Sequence, residues 1–208
     1  MPATAGLLTR ALEGGVTVPD DELSERILDA TLALAAESGV RRLTVEEVAT
    51  RAGVGRVTVY RRFGSKQALM DSLAARESAR LLAELDAETP KEGPMEDRIA
   101  AGFVTSLRLI REHPLLSRLA RVEPDSVLAA LTADGGANFA LMRGFLAARL
   151  REAQIEGDVG AIDVEQAAEV LVRLCLSFVL LQESVLPLDD PEGAADLARR
   201  LIAPVVTS

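Results

Sequence analysis

Between Thr44 and Phe63 two short amphipathic segments follow one another with only Gly53, Val54 and Gly55 between them. A connection this tight forces two helices to cross steeply, which is the helix-turn-helix arrangement. Thr44 and Glu47 form a T-x-x-E capping box, and Leu43 and Val48 are placed to staple the helix entry. Val45, Val48, Ala49 and Ala52 line the buried side, and Gly53 ends the first segment. In the second, Arg56 to Phe63, Val59 and Phe63 face one way while Arg56 and Tyr60 share another face.

The flanking sequence completes a three-helix unit. A helix starting at about Asp20 to Glu22, directly after Pro19, carries Leu23, Ile27, Ala30 and Leu34 on one face and stops at Gly39 as a left-handed cap. It braces the pair from behind. Gly64 breaks the third helix, and Ser65 caps a fourth from Lys66 to about Ala87. Further helices are expected at Met95–His113, Leu115–Val122, Ser126–Leu131, Asn138–Ile155, Asp163–Leu186 and Asp190–Ala203. No strand-like alternation and no internal repeat stands out, so the fold class is all-α. Aromatic residues make up only 3% of 208, so Ala, Leu and Val must build the core, which suits helices. The expected division is a flexible arm at 1–19, a helix-turn-helix domain at 20–66 and a second helical domain at 67–208.

Charge is unevenly placed. Between Arg41 and Lys66 stand seven cations (Arg41, Arg42, Arg51, Arg56, Arg61, Arg62, Lys66) against Glu46 and Glu47, a local +5 on a chain of net charge −9. The remainder therefore sums to −14. Such an acidic body excludes a generally adhesive polycation, yet it presents one directed basic surface. Arginine is the habitual cation here, since only Lys66 and Lys91 are lysine, so a merely solvated face accounts for the patch equally well.

The run TVEEVATRAGVGRVTVYRRFGSK, from Thr44 to Lys66, resembles the N-terminal domain of the TetR family of transcriptional regulators. The features that carry the resemblance are the capped helix, Ala52–Gly53–Val54, Thr58–Val59–Tyr60, Phe63 and Ser65–Lys66. It extends by motif over about residues 22 to 75. Gly55 departs from the usual Ser or Thr cap, Val57 from a small residue, and Arg62 from a common aromatic.

The resemblance implies a ligand-responsive DNA-binding regulator, a repressor that a small molecule releases from its operator. An activator or architectural DNA-binder without inducer, or a helical small-molecule-binding protein or enzyme without DNA binding, is the alternative. The chemistry of a recognition helix fits independently. Arg56 and Val57 occupy its first turn, where Arg can bridge guanine O6 and N7 and Val can meet a thymine methyl. Tyr60 and Arg61 can reach phosphate, Lys66 sits at a helix N-terminus, and Thr44 and Thr58 carry hydroxyls that either reach DNA or serve the backbone. Tyr60 has a half-buried core role as its alternative, and Arg62 is open between packing and phosphate.

Residues 170 to 181 are apolar at 10 of 12 positions, interrupted by Arg173 and Ser177, and Ala194, Leu197, Ala198, Leu201 and Ile202 follow at helical spacing. The resemblance implies a homodimer through these last two helices and an effector pocket between the fourth helix and the helices from Met95 to about Ile155. Phe103, Leu107, Leu119, Phe139, Met142, Phe145 and Phe178 are candidates for its lining or for plain core. Arg108, Arg111, Arg118 and Arg121 suit either a solvated face or an anionic group.

The usual catalytic constellations and cofactor motifs are missing, while carboxylate or lysine chemistry stays open. Gly53–Val54–Gly55 lacks the third glycine and the preceding strand of a dinucleotide fingerprint. One histidine, His113, reads as a cation at a helix C-terminus, and one cysteine, Cys175, as an inert core thiol. A nucleophile, base and orienter cannot be assembled from the usual types, and no metal set exists. No stretch is apolar for the roughly 20 residues a bilayer needs, so the chain is expected in the cytoplasm.

Overall fold

The computed structural model describes residues 21–132, 136–181 and 183–207, so the expected arm at 1–19 lies outside the described residues. Among the described residues the regular structure is entirely helical. The helices are α1 (Glu22–Ser38), α2 (Val45–Ala52), α3 (Arg56–Phe63), α4 (Lys66–Glu88), α5 (Met95–Glu112) and α6 (Pro114–Val122). They continue with α7 (Pro124–Thr132), α8 (Ala137–Glu156), α9 (Val164–Leu180), α10 (Pro191–Leu197) and α11 (Pro204–Thr207).

Local chemistry sets the head. Asp21 accepts from the amides of Leu23 and Ser24 and so starts α1. The capping box of α2 is complete: Thr44 Oγ1 accepts from Glu47 N at 3.3 Å, and Glu47 Oε2 accepts from Thr44 N at 2.9 Å. Leu43 and Val48 are buried together beneath it. At the other end Gly53 adopts φ 67°, ψ 37°, while Val54 N donates to Ala49 O and Gly53 N to Thr50 O, a Schellman closure. Val59 and Phe63 point α3 inward, as their spacing predicts.

Polar bolts then fix α2 to α1. Arg26 donates to the carbonyl of Ala52 at 2.7 Å, and Arg51 grips Glu37 with two bonds of 2.6 and 2.8 Å. The apolar core of the head runs on into Leu69 and Leu73 of α4, Leu115 and Leu119 of α6 and Val127 of α7. A second core gathers α5, α8, α9 and α10.

Three boundaries differ from the sequence reading. Gly39 does stop α1 with φ 91°, but its ψ of 155° is not the left-handed helical cap expected. A Cβ there would meet only the ends of the Glu123 and Arg118 side chains, which can move aside, so it is the dihedral that asks for glycine. Helix α9 ends at Leu180 instead of Leu186; the apolar period continues to Val185, but that side chain is fully exposed. The last helix is interrupted by a wide turn at Ala198–Ile202, where Ala203 N reaches back to Ala198 O, ahead of Pro204, which has no N–H to donate.

Because Gly53 stands in the left-handed region, Gly53→Ala is expected to lower unfolding stability by about 1–2 kcal/mol. A shifted urea midpoint with unchanged slope is the readout.

Candidate nucleic-acid interface and cavity

The outward face of α3 carries the side chains that its sequence suggested. Arg56, Val57, Tyr60 and Arg61 are exposed, Val57 by 75% and Tyr60 by 43%. The value for Tyr60 sets aside a core role. Thr58 and Lys66 are half-buried. The first turn of α3 has only Gly55 as its cap and receives no side-chain bond, so its positive end is bare. Thr44 is exposed, yet its hydroxyl is committed to Glu47, to whose carboxylate its amide also donates. It acts first as a cap.

The seven clustered cations divide into two sets. Arg41 pairs with Asp125 at 3.0 Å, Arg51 with Glu37, and Arg62 with Asp21 at the start of α1. These three tie elements together, which answers the question left open for Arg62. Arg56 meets Glu46 of α2 at 2.8 Å. The hydrogen bond from Arg56 holds the Glu46 carboxyl below its ordinary range, and the same bond raises the guanidinium. Both side chains are well exposed, so the pair is screened and exchangeable. Arg42 and Arg61 form no ion pair among the described residues. The Arg41–Asp125 pair is as open to solvent as the Arg56–Glu46 pair, so the outward basic set is Arg41, Arg42, Arg56, Arg61 and Lys66. Glu46 as a holder of Arg56 was not read from sequence; its one-sided place beside a cationic helix was the available signal.

Behind the head lies a cavity of about 830 Å³, walled by α4, α5, α6, α7, α8 and α9. Phe103, Leu119, Met142 and Phe145 belong to its wall. Leu107, Phe139 and Phe178 do not. Leu107 is buried in the second core. Phe178 stands edge-on behind Phe103 with ring centroids 5.7 Å apart, and Phe139 lies under the Arg173 guanidinium. The sequence reading set the fourth helix against the pocket but named none of its lining side chains, among them Met70, Leu81 and Leu85. Arg108 and Arg111 do not offer the cavity free charge, since they pair with Glu88 and Glu112 and with Asp189.

Two polar features mark the wall. His113 is not a C-terminal cation. Its Nδ1 accepts from Leu116 N at 3.2 Å as the cap of α6, so Nε2 carries the proton and donates to Glu77 at 3.2 Å. Burial alone would raise the Glu77 carboxyl; the bond from His113 and the charge of Arg76 outweigh it and hold the group below its ordinary 4.5. Cys175 also lies on the wall, and burial pushes its thiol up to about 11 despite a bond from Ser106.

Residues 27–73 match the family described as bacterial regulatory proteins, tetR family. The chain is 33% identical over 189 residues to the HTH-type transcriptional regulator AlkX of Mycobacterium tuberculosis, covering 88% of this chain and 84% of that protein. It belongs to the TetR family and is a DNA-binding transcriptional regulator. The HTH-type transcriptional repressor KstR of Mycolicibacterium smegmatis is 36% identical over 96 residues, covering 46% of this chain and 47% of that protein. Among solved structures, the TetR family repressor AlkX from Dietzia, implicated in biodegradation of n-alkanes, matches with a TM-score of 0.65. It is 26% identical, covering 89% of this chain and 95% of that one. No described helix is long and apolar enough to cross a membrane.

Since the reactive thiolate is scarce below pH 11, Cys175 is expected to react with iodoacetamide far more slowly at pH 8 than a free thiol of ordinary pKa, with the rate climbing toward pH 11. Mass spectrometry of the intact chain follows it.

Proposed function

We propose that the chain is a repressor that holds operator DNA as a homodimer and lets go when an elongated apolar molecule fills the cavity. The observation that carries the DNA contacts is the outward face of α3 on a head braced from behind: Arg56 and Val57 for base edges, Tyr60, Arg61 and Lys66 for phosphate. Thr58, half-buried, and Thr44, already engaged as a cap, take supporting places at the backbone. Exchanging Glu46 for a guanine edge costs Arg56 little, because the pair is solvent-screened. A bidentate guanine contact is worth about 1–3 kcal/mol of discrimination.

The dimer reading is supported by apolar surface left uncovered late in the chain. Val170 is 44% exposed on α9, Leu181 71% just beyond it, and Leu201 64% in the last helical segment. A matching face from a second copy would bury them, and two-fold symmetry would set two recognition helices about one DNA turn apart.

The shape of the cavity supports the effector reading. Its wall follows α4 from Lys66 to Asp86, about 30 Å at 1.5 Å per residue. Spread along that length, 830 Å³ accommodates one narrow aliphatic chain better than a compact ring system. The link of the Dietzia AlkX repressor to n-alkane biodegradation agrees with this.

A duplex selected from a random pool by the full-length protein tests the DNA reading. Arg56→Ala is expected to relax preference at one base position, whereas Lys66→Ala should weaken all sites alike and reduce the salt slope by about one. An unaltered sequence preference for Arg56→Ala would remove that residue from base readout. Straight-chain alcohols of rising length should release the DNA and retard Cys175 alkylation in parallel; release without retardation would place the effector elsewhere. For the dimer, Val170→Glu combined with Leu201→Glu should give monomers in sedimentation velocity, and a surviving dimer would move the interface.

A further inference from the structure

A file of charged and polar groups, buried at the cavity and open to solvent at α1, runs from the cavity to the head. His113, at the junction of α5 and α6, donates from Nε2 to Glu77 Oε2, and both residues stand on the cavity wall. The other oxygen of Glu77 accepts from Arg76 Nε at 2.8 Å. Arg76 then leaves α4 and reaches α1, with Nη1 at 2.9 Å from Asp29 Oδ1 and 3.2 Å from Glu25 Oε2. The Arg76 and Glu77 side chains are only 6% and 11% exposed, and that of His113 is 9%. The residue after Glu25 is Arg26, which holds the Ala52 carbonyl where α2 ends and the turn to α3 begins. Polar contacts thus run from the cavity wall to α1, and the backbone of α1, through the peptide link between Glu25 and Arg26, joins them to the base of the recognition helix.

We propose that His113–Glu77–Arg76 is the coupling element of the regulator: displacement of His113 by a molecule in the cavity is passed through Glu77 to Arg76 and from there to α1. The inference rests on the regulator reading given above. Its driving force is the intolerance of a buried carboxylate for losing a partner. When His113 is pushed off Glu77, the deficit is met by the nearest cations, Arg76 and Arg80, the latter already 3.4 Å from Glu77. Both are drawn from the same two carboxylates, since Arg80 Nη2 lies 2.6 Å from Glu25 and Nη1 3.6 Å from Asp29. Glu25 and Asp29 are one helical turn apart, and so are Arg76 and Arg80. Such a square of charges exchanges partners without stranding any of them. Helix α1 is thereby free to shift along α4 in a discrete step, carrying α2 and α3 with it. An aliphatic contact at the same place would resist separation but would transmit no demand from the cavity.

The sole histidine makes the test site-specific. Full-length protein labelled with 15N-histidine is titrated with the selected duplex, binding being followed in the same samples by fluorescence anisotropy. By reciprocity, DNA bound at the head must perturb the cavity wall. The imidazole signals of His113 are expected to shift on saturation with DNA in the wild type. They should not shift in Arg76→Lys, which keeps the charge but cannot span Glu77, Glu25 and Asp29 together. Glu77→Gln keeps an acceptor for His113 and removes the charge that calls on Arg76, and it should be silent too. With 1-dodecanol as the probe, wild-type DNA affinity is expected to fall about tenfold, and that of either variant less than about twofold. A shift of equal size in wild type and both variants, or no shift in DNA-bound wild type, overturns the coupling. Failure of any selected duplex to bind overturns the regulator reading instead, and a dodecanol effect absent in the wild type while the DNA-induced shift persists overturns only the choice of effector.

Discussion

The hydrogen bond from Arg26 to the Ala52 carbonyl sits at the point on which the head's geometry turns. Helix α2 ends there, and only Gly53, Val54 and Gly55 separate it from α3. The Schellman closure fixes the angle between the two helices locally, and Arg26 fixes the pair against α1. A recognition helix of eight residues cannot stabilise itself, since isolated helices that short are marginal in water. Its order is borrowed from Val59 and Phe63 in the core beneath and from the brace behind. That arrangement leaves the opposite face free of structural duty, which is why Arg56, Val57, Tyr60 and Arg61 can stand in solvent.

The basic patch shows how a local charge count both informs and misleads. The cluster between Arg41 and Lys66 was visible as sequence, and it does lie on the head. What the count could not show is that Arg51 and Arg62 are engaged by carboxylates at the two ends of α1, and that Arg41 meets a carboxylate of α7 in open solvent. Asp125 is 84 residues from Arg41 in the chain, so no local pattern couples them. The outward-facing charge is therefore carried by fewer side chains than the sequence suggests, because Arg51 and Arg62 are already engaged within the head.

Elements that rest on short-range chemistry were legible from sequence. The capping box at Thr44 and Glu47, the Gly53 turn, the inward pair Val59 and Phe63 and the Ser65 cap all depend on residues within a few positions of one another. Elements whose limits depend on distant partners were less so. The apolar run that suggested a helix to Leu186 includes Val185, which is exposed, and the helix stops at Leu180. Among the expected cavity residues, aromatic character guided only in part: Phe103 and Phe145 line the cavity, Phe178 supports Phe103 from behind and Phe139 serves Arg173, while the α4 face mixes aliphatic side chains with polar ones such as Glu77. His113 was misread because one residue both ends α5 and begins α6, and its ring nitrogens serve the second of these tasks.

The cavity and the head share α4, and this explains why buried charge is found between them at all. Ion pairs in a protein interior seldom add stability over an apolar replacement. In α4 the aliphatic residues Leu69 and Leu73 already close the head, while Leu82 packs with Leu141 and Phe145 farther along. The stretch from Arg76 to Arg80 joins α4 to α1 through carboxylates on both helices. Packing at those positions would have sealed the joint more firmly. A joint built of exchangeable pairs holds the head in register while keeping a second register within reach, and a regulator whose two states differ by a ligand's binding energy needs both properties in the same place.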